Sequence, residues 1–187
     1  MTIHILTGDV VKAQDLGAYV ATDWRGADHL RAGWVAAFGP VTRVSFLQEQ
    51  MGAEPVAPPA IPPTFDLERR ERQWLRAVNP HRPPAPEFAV LELRTYDVRF
   101  GQSDRFVDLM MSALPIRQGY SPNCGIWRSL SGRAEQVLHL WGYPSLDERT
   151  AVRERLKRDS GWTDYTATIL PMLQELHSTI LMPLPHI

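Results

Sequence analysis

The sequence predicts an α+β fold made of two tandem ferredoxin-like units. Three observations carry that expectation. The chain repeats itself: WVAAFG (34–39) has the Trp-to-Gly spacing of WRSLSG (127–132), and each runs into a strand pattern, VTRVSFLQ (41–48) and AEQVLHLW (134–141). VVKAQ (10–14) precedes the first of these as VRFGQ (98–102) precedes the second, and PTFDLERRER (63–72) follows as PSLDERTAVR (144–153) does. The second copy alternates runs of period two with runs of period 3.6 in the order β-α-β-β-α-β. Finally, 187 residues at 44% hydrophobic are enough to bury a core under such a duplicated sheet.

The elements of the second copy follow in order. FAVLELRTYDV (88–98) reads as a strand. In GQSDRFVDLMMSAL (101–114), Phe106, Val107, Leu109, Met110, Ala113 and Leu114 recur at helical spacing, with Ser103 as N-cap and Pro115 ending or kinking the helix. Residues 123–130 and 134–143 read as two strands joined at Ser131-Gly132. SLDE (145–148) is a capping box opening a charged helix to Lys157. An amphipathic segment follows Trp162, broken at Pro171, and STILM (178–182) is a last short strand. The first unit, 1–78, carries a Pro-rich insertion at 49–62 whose prolines exclude helix interiors and sheet centres; it has no counterpart of 160–183. A second Pro-rich stretch, 79–87, reads as the linker to the unit at 88–187.

Composition removes several functions. The net charge of −1 offers no basic field for a nucleic-acid backbone. No apolar stretch is long enough to span a membrane, and the start lacks a signal-peptide pattern, so a cytoplasmic setting is expected. One cysteine, Cys124, excludes an internal disulfide and a multi-cysteine zinc site; it reads as a small buried residue. No phosphate-binding glycine loop, nucleophile elbow or paired-histidine metal motif occurs, so neither metal nor cofactor is expected.

ELRTY (92–96), VRFG (98–101), Gly125 with Trp127, VLHLWGY (137–143), LDER (146–149), Trp162 and Met182-Pro183 form an ordered set that resembles the NIPSNAP family over residues 88–183. The resemblance implies a dimeric α+β barrel, which the two units of one chain would build as a pseudo-dimer with helices outside. Members of that wider group include cofactor-independent monooxygenases, polyketide cyclases, lactone isomerases and haem-degrading oxygenases, so the resemblance gives a fold more than a reaction.

Alternation sorts the candidate site residues. Glu92, Arg94 and Tyr96 share one strand face, and His139, Trp141 and Tyr143 share another. Leu91, Leu93, Leu138 and Leu140 are expected under the helices, which turns the polar set, with Trp127, into the barrel interior. Glu92 and Arg94, two apart on one face, are expected to pair, with His139 joining them. Opposite His139 the first copy has Phe46; His4 stands opposite Glu92, and Trp34 opposite Trp127. The expected site is a polar cluster in the second unit facing an apolar wall from the first, fitted to a small hydrophobic or aromatic molecule. As a cofactor-independent cyclase, isomerase or monooxygenase, it would use His139 as acid or base, Arg94 for the developing oxyanion, Glu92 to orient them and Tyr96 as hydrogen-bond donor. Trp127, Trp141, Tyr143, Phe46, Trp34 and His4 would line it. A non-catalytic binding or interaction module fits the same residues, as does, more weakly, a haem protein with His139 as axial ligand. A truncated first unit would leave a sheet edge for a second copy of the chain, giving a homodimer.

Overall fold

The computed structural model describes residues 2–50, 56–83 and 85–187. The first half contributes β1 (Ile3–Val11), a short α1 (Leu16–Val20), β2 (Leu30–Phe38), β3 (Arg43–Gln50) and β4 (Leu67–Asn79). The second contributes β5 (Val90–Val98), α2 (Ser103–Gln118), β6 (Asn123–Ser129), β7 (Gln136–Tyr143), α3 (Leu146–Leu156), α4 (Ser160–Ile169) and β8 (Leu173–Pro183). The eight strands close an antiparallel barrel in the order β1-β3-β2-β8-β5-β7-β6-β4. Each half keeps its strands together in the ferredoxin-like order, and the halves meet where β2 pairs β8 and β4 pairs β6. The barrel is the expected α+β architecture.

Local chemistry explains several boundaries. Ser145 caps α3 by accepting the Glu148 N–H at 3.1 Å. Asp159 caps α4 by accepting the Trp162 N–H at 3.0 Å. Ser103 is the first residue of α2 and makes no cap; Gln102 holds that position. Pro115 lies inside α2, which runs one turn further to Gln118, so the helix does not end at the proline. Pro171 falls in a 3-10 turn, Leu170–Met172, directly after α4.

Two expectations about the first half are corrected. PTFDLERRER does not form a counterpart of α3: from Leu67 onward it is β4, the strand that pairs β1 as β8 pairs β5. The first half therefore has its closing strand and, among the described residues, no counterpart of the helices α3 and α4. Within the Pro-rich insertion, Glu49 and Gln50 still belong to β3, and residues 51–55 lie outside those described.

The faces are also reversed from expectation. The barrel interior is packed by Trp34, Leu47, Leu75, Leu91, Trp127, Leu138, Leu140 and Leu181, and a cavity of about 280 Å³ remains at one end, lined by Leu6, Ser45, Gln73, Leu93, Thr95 and Leu181. Tyr96, Trp141 and Tyr143 pack outside it, beneath Phe106, Met110, Val152, Leu156 and Tyr165 of the helices. An eight-stranded barrel has an interior narrow enough for side chains to fill most of it, and leucines with two tryptophans do so here. The longer amphipathic side chains go to the helix side, where their polar ends reach gaps between helices. A third cluster, with Tyr19, Trp24, Val44 and Phe46, lies outside the barrel on the first half.

Candidate ligand site

The polar face of β5 meets α3 through Glu92, which is fully buried. Its carboxylate accepts from Arg149 Nη2 at 2.7 Å, Ser178 Oγ at 2.6 Å and Tyr143 Oη at 3.3 Å, with Arg153 at 3.7 Å. Burial raises its pKa, but the Arg149 and Ser178 hydrogen bonds outweigh that and hold it down at about 2. The expected Glu92–Arg94 pair does not form: Glu92 is committed to α3 and β8.

Among the described residues, neither Arg94 nor Arg117 has a carboxylate in ion-pair contact, although the Glu92 charge acts on both through space. Arg117, 4% exposed, gives its guanidinium hydrogens to Ser121 Oγ and Tyr143 Oη, both at 2.6 Å, and stacks on the Trp141 ring at 4.3 Å. Arg94 lies over the Tyr96 ring at 5.5 Å, and its Nε is shielded from solvent with no hydrogen-bond partner among the described residues. Both arginines line a cavity of about 230 Å³ between the sheet and α2, α3 and α4. Arg153 of α3 and Lys157 at its C-cap complete the basic wall; Tyr96, Trp162 and Tyr165 supply aromatic surface, and no acidic side chain among the described residues lines it.

His139 stands behind this wall. It is 1% exposed, with Tyr96 at 4.7 Å and Phe106 at 6.1 Å between ring centroids, and neither ring nitrogen has a partner among the described residues. Burial first, then Arg94 and Arg117, pushes its pKa down to about 3. It does not join Glu92 and Arg94 in a hydrogen-bonded set, and it does not line the cavity.

The remaining candidates are dispersed. Trp34 and Trp127 are in the barrel interior, where Trp127 Nε1 donates to His4 Nδ1 at 3.3 Å. Burial and the nearby His81 lower the His4 pKa to about 4. Phe46 packs on Trp24 at 4.7 Å on the far side of the first half. The expected apolar wall from the first unit is thus absent from the cavity, whose described walls all come from the second half.

Arg117, Arg153, Lys157 and Tyr165 are not among the residues that the sequence pattern singles out. A signal for Arg117 exists: it continues the buried stripe Phe106, Met110, Ala113 of α2, where a charge is out of place. Arg149, Arg153 and Lys157 recur every four residues and so align one basic stripe along α3, a pattern shared with any solvated helix face.

The NIPSNAP family model matches residues 91–186, more than half of the chain. The chain belongs to the NIPSNAP family. Mouse NipSnap homolog 2 is 31% identical over 101 residues, 54% of this chain and 36% of its own length, so the match spans about a third of that relative. A NIPSNAP domain protein from Burkholderia xenovorans superposes with a TM-score of 0.51 at 31% identity, covering 52% of this chain and 97% of that one. An anthrone oxidase-like protein covers 97% of this chain and 91% of its own with a TM-score of 0.67 at 10% identity, which shows a shared fold alone. The NIPSNAP match thus coincides with the half that carries the cavity. Among the described residues no helix is long and apolar enough to cross a membrane.

Proposed function

We propose that this NIPSNAP chain binds a small organic carboxylate with a flat apolar body in the cavity between the sheet and helices α2–α4. The observation that carries this is the pair Arg94 and Arg117: two guanidinium groups in one cavity, neither with an ion-pair partner among the described residues. Glu92 acts on both arginines through space but spends its hydrogen bonds on Arg149 and Ser178; an anionic ligand would supply them a directly bonded counter-ion. Arg153 and Lys157 extend the field to the cavity wall, and the Trp162 and Tyr165 rings offer stacking surface. The volume lies below the roughly 300–1,000 Å³ of drug-sized sites, which limits the ligand to about one ring system.

Binding is favoured over acid–base catalysis because the described lining has neither imidazole nor carboxylate. A reaction here would need a substrate that ionises without a protein base, leaving Arg94 and Arg117 to hold the enolate or phenolate.

Calorimetric titration with benzoate and 2-naphthoate, against the corresponding amides, tests the reading. The carboxylates bind and the amides do not; Arg94→Met and Arg117→Met each weaken binding by roughly 10- to 150-fold, the loss of one charge-assisted hydrogen bond. Equal affinity for acid and amide, or unchanged affinity in both variants, would refute it.

A further inference from the structure

We propose that β8 pairs with β8 of a second copy of this chain, antiparallel and centred on Leu176. The barrel closes through short stretches only: β2 meets β8 at residues 180–183, and β4 meets β6 at residues 75–79. Residues 173–179 of β8 are paired to β5 on one side and, among the described residues, to no strand on the other. A bare edge of this kind pairs with another strand unless charge, proline or a bulge protects it. The corresponding stretch of β4 is protected by Glu68, Arg69, Arg70, Glu71 and Arg72. The β8 edge reads LQELHST, with one carboxylate, no lysine, arginine or proline, a bulge confined to its start at Gln174, and Leu176 exposed at its centre.

The same seven residues select the partner and the register. In a two-fold antiparallel pair, one residue faces its own copy and its neighbours face each other crosswise. Centring on Glu175 opposes two carboxylates. Centring on His177 opposes two imidazoles and leaves Glu175 facing Thr179. Centring on Leu176 sets Leu176 against Leu176, Gln174 against Ser178, and Glu175 against His177 of the second copy, twice. An imidazole across from a carboxylate can donate it a hydrogen bond, whereas two carboxylates face to face repel, so this register is favoured. Within one copy Glu175 already lies 3.2 Å from His177 and 3.0 Å from Arg133, so the two copies would build one alternating cluster across the axis. Leu170, exposed just before β8, adds apolar surface beside the new ladder. Leu176 also lines the sheet–helix cavity, so the second copy would cover its rim.

Sedimentation equilibrium on the full chain provides the test. The natural protein dimerises; His177→Glu places like charges opposite each other at two positions and weakens the dimer about tenfold or more. Adding Glu175→Lys to His177→Glu restores opposite charges and with them the dimer. Leu176→Cys forms a disulfide-linked dimer on mild oxidation, since the native Cys124 is buried. Position 177 is exposed, so these variants keep the fold, which far-UV circular dichroism verifies. A natural chain that stays monomeric at every concentration overturns the proposal. So does a dimer that ignores the charge reversal and leaves the Leu176→Cys variant without a crosslink.

Discussion

Glu92→Ala is expected to destabilise the fold by about 3–5 kcal/mol, the cost of removing one partner from a buried ion cluster. The carboxylate is fully buried and holds three elements at once: α3 through Arg149 and Arg153, β8 through Ser178, and β7 through Tyr143. Alanine leaves Arg149 unpaired and removes the negative charge set among Arg94, Arg117, Arg149 and Arg153. Glu92→Gln keeps the shape and loses the charge, so its pH dependence isolates the electrostatic part. The folded pKa of about 2 lies below the ordinary 4.5. The contribution is therefore complete above pH 4.5 and is lost as pH falls towards 2. Urea denaturation of natural and Glu92→Gln protein should show a stability gap that is constant near neutrality and closes across that acid window. A gap that persists at pH 2 would assign the effect to packing. Because Glu92 stands beside the basic cavity, the same substitution is also expected to tighten carboxylate binding, which separates loss of stability from loss of the site.

Much of this fold could be read from the sequence because its strongest signals are local. The period-two runs around VLHLWGY and ELRTY fall in β7 and β5, and the Ser145 cap begins α3. The Trp34 and Trp127 motifs fall on β2 and β6, so the repeat found the pseudo-symmetric halves of the barrel. What failed was orientation. Alternation says that Glu92, Arg94 and Tyr96 share a face; it cannot say which layer covers that face. The barrel interior and the helix layer are both apolar, and Leu91 would have suited either. β4 was hidden for a different reason. An edge strand protected by charge has the composition of an exposed helix, and LERRERQ carries charges on both faces. The cavity itself was legible only in part. Arg94 and Tyr96 come from the strand pattern, but Arg117, Arg153 and Lys157 are brought to them by tertiary packing of α2 and α3 onto the sheet.

His139→Leu is expected to stabilise the protein, and to do so more in acid. The imidazole is enclosed by Tyr96, Phe106 and Trp141, and both nitrogens lack partners among the described residues. Leaving a buried polar group unsatisfied costs about 1–3 kcal/mol, which leucine, of similar volume, recovers near pH 8. Acid adds a second term. The folded pKa of about 3 lies below the ordinary 6.5, so between these values the unfolded chain takes a proton that the folded chain refuses. Stability is complete above pH 6.5 and falls as pH drops towards 3; at pH 5 the loss amounts to about 2 kcal/mol. His139→Leu removes that loss, so its advantage over the natural protein should be about 2 kcal/mol larger at pH 5 than at pH 8. Part of the slope that remains belongs to His4, whose pKa is lowered to about 4. Calorimetric unfolding at the two pH values measures both quantities. A variant less stable than the natural protein at both would mean that the imidazole has a partner in solution, through water or ligand. The first half of the chain has already made an equivalent replacement: Phe46 occupies the matching place on β3, fully buried and packed on Trp24. That strand position therefore accepts a wholly apolar side chain, so the same replacement at the second copy is expected to leave carboxylate binding at Arg94 and Arg117 unchanged.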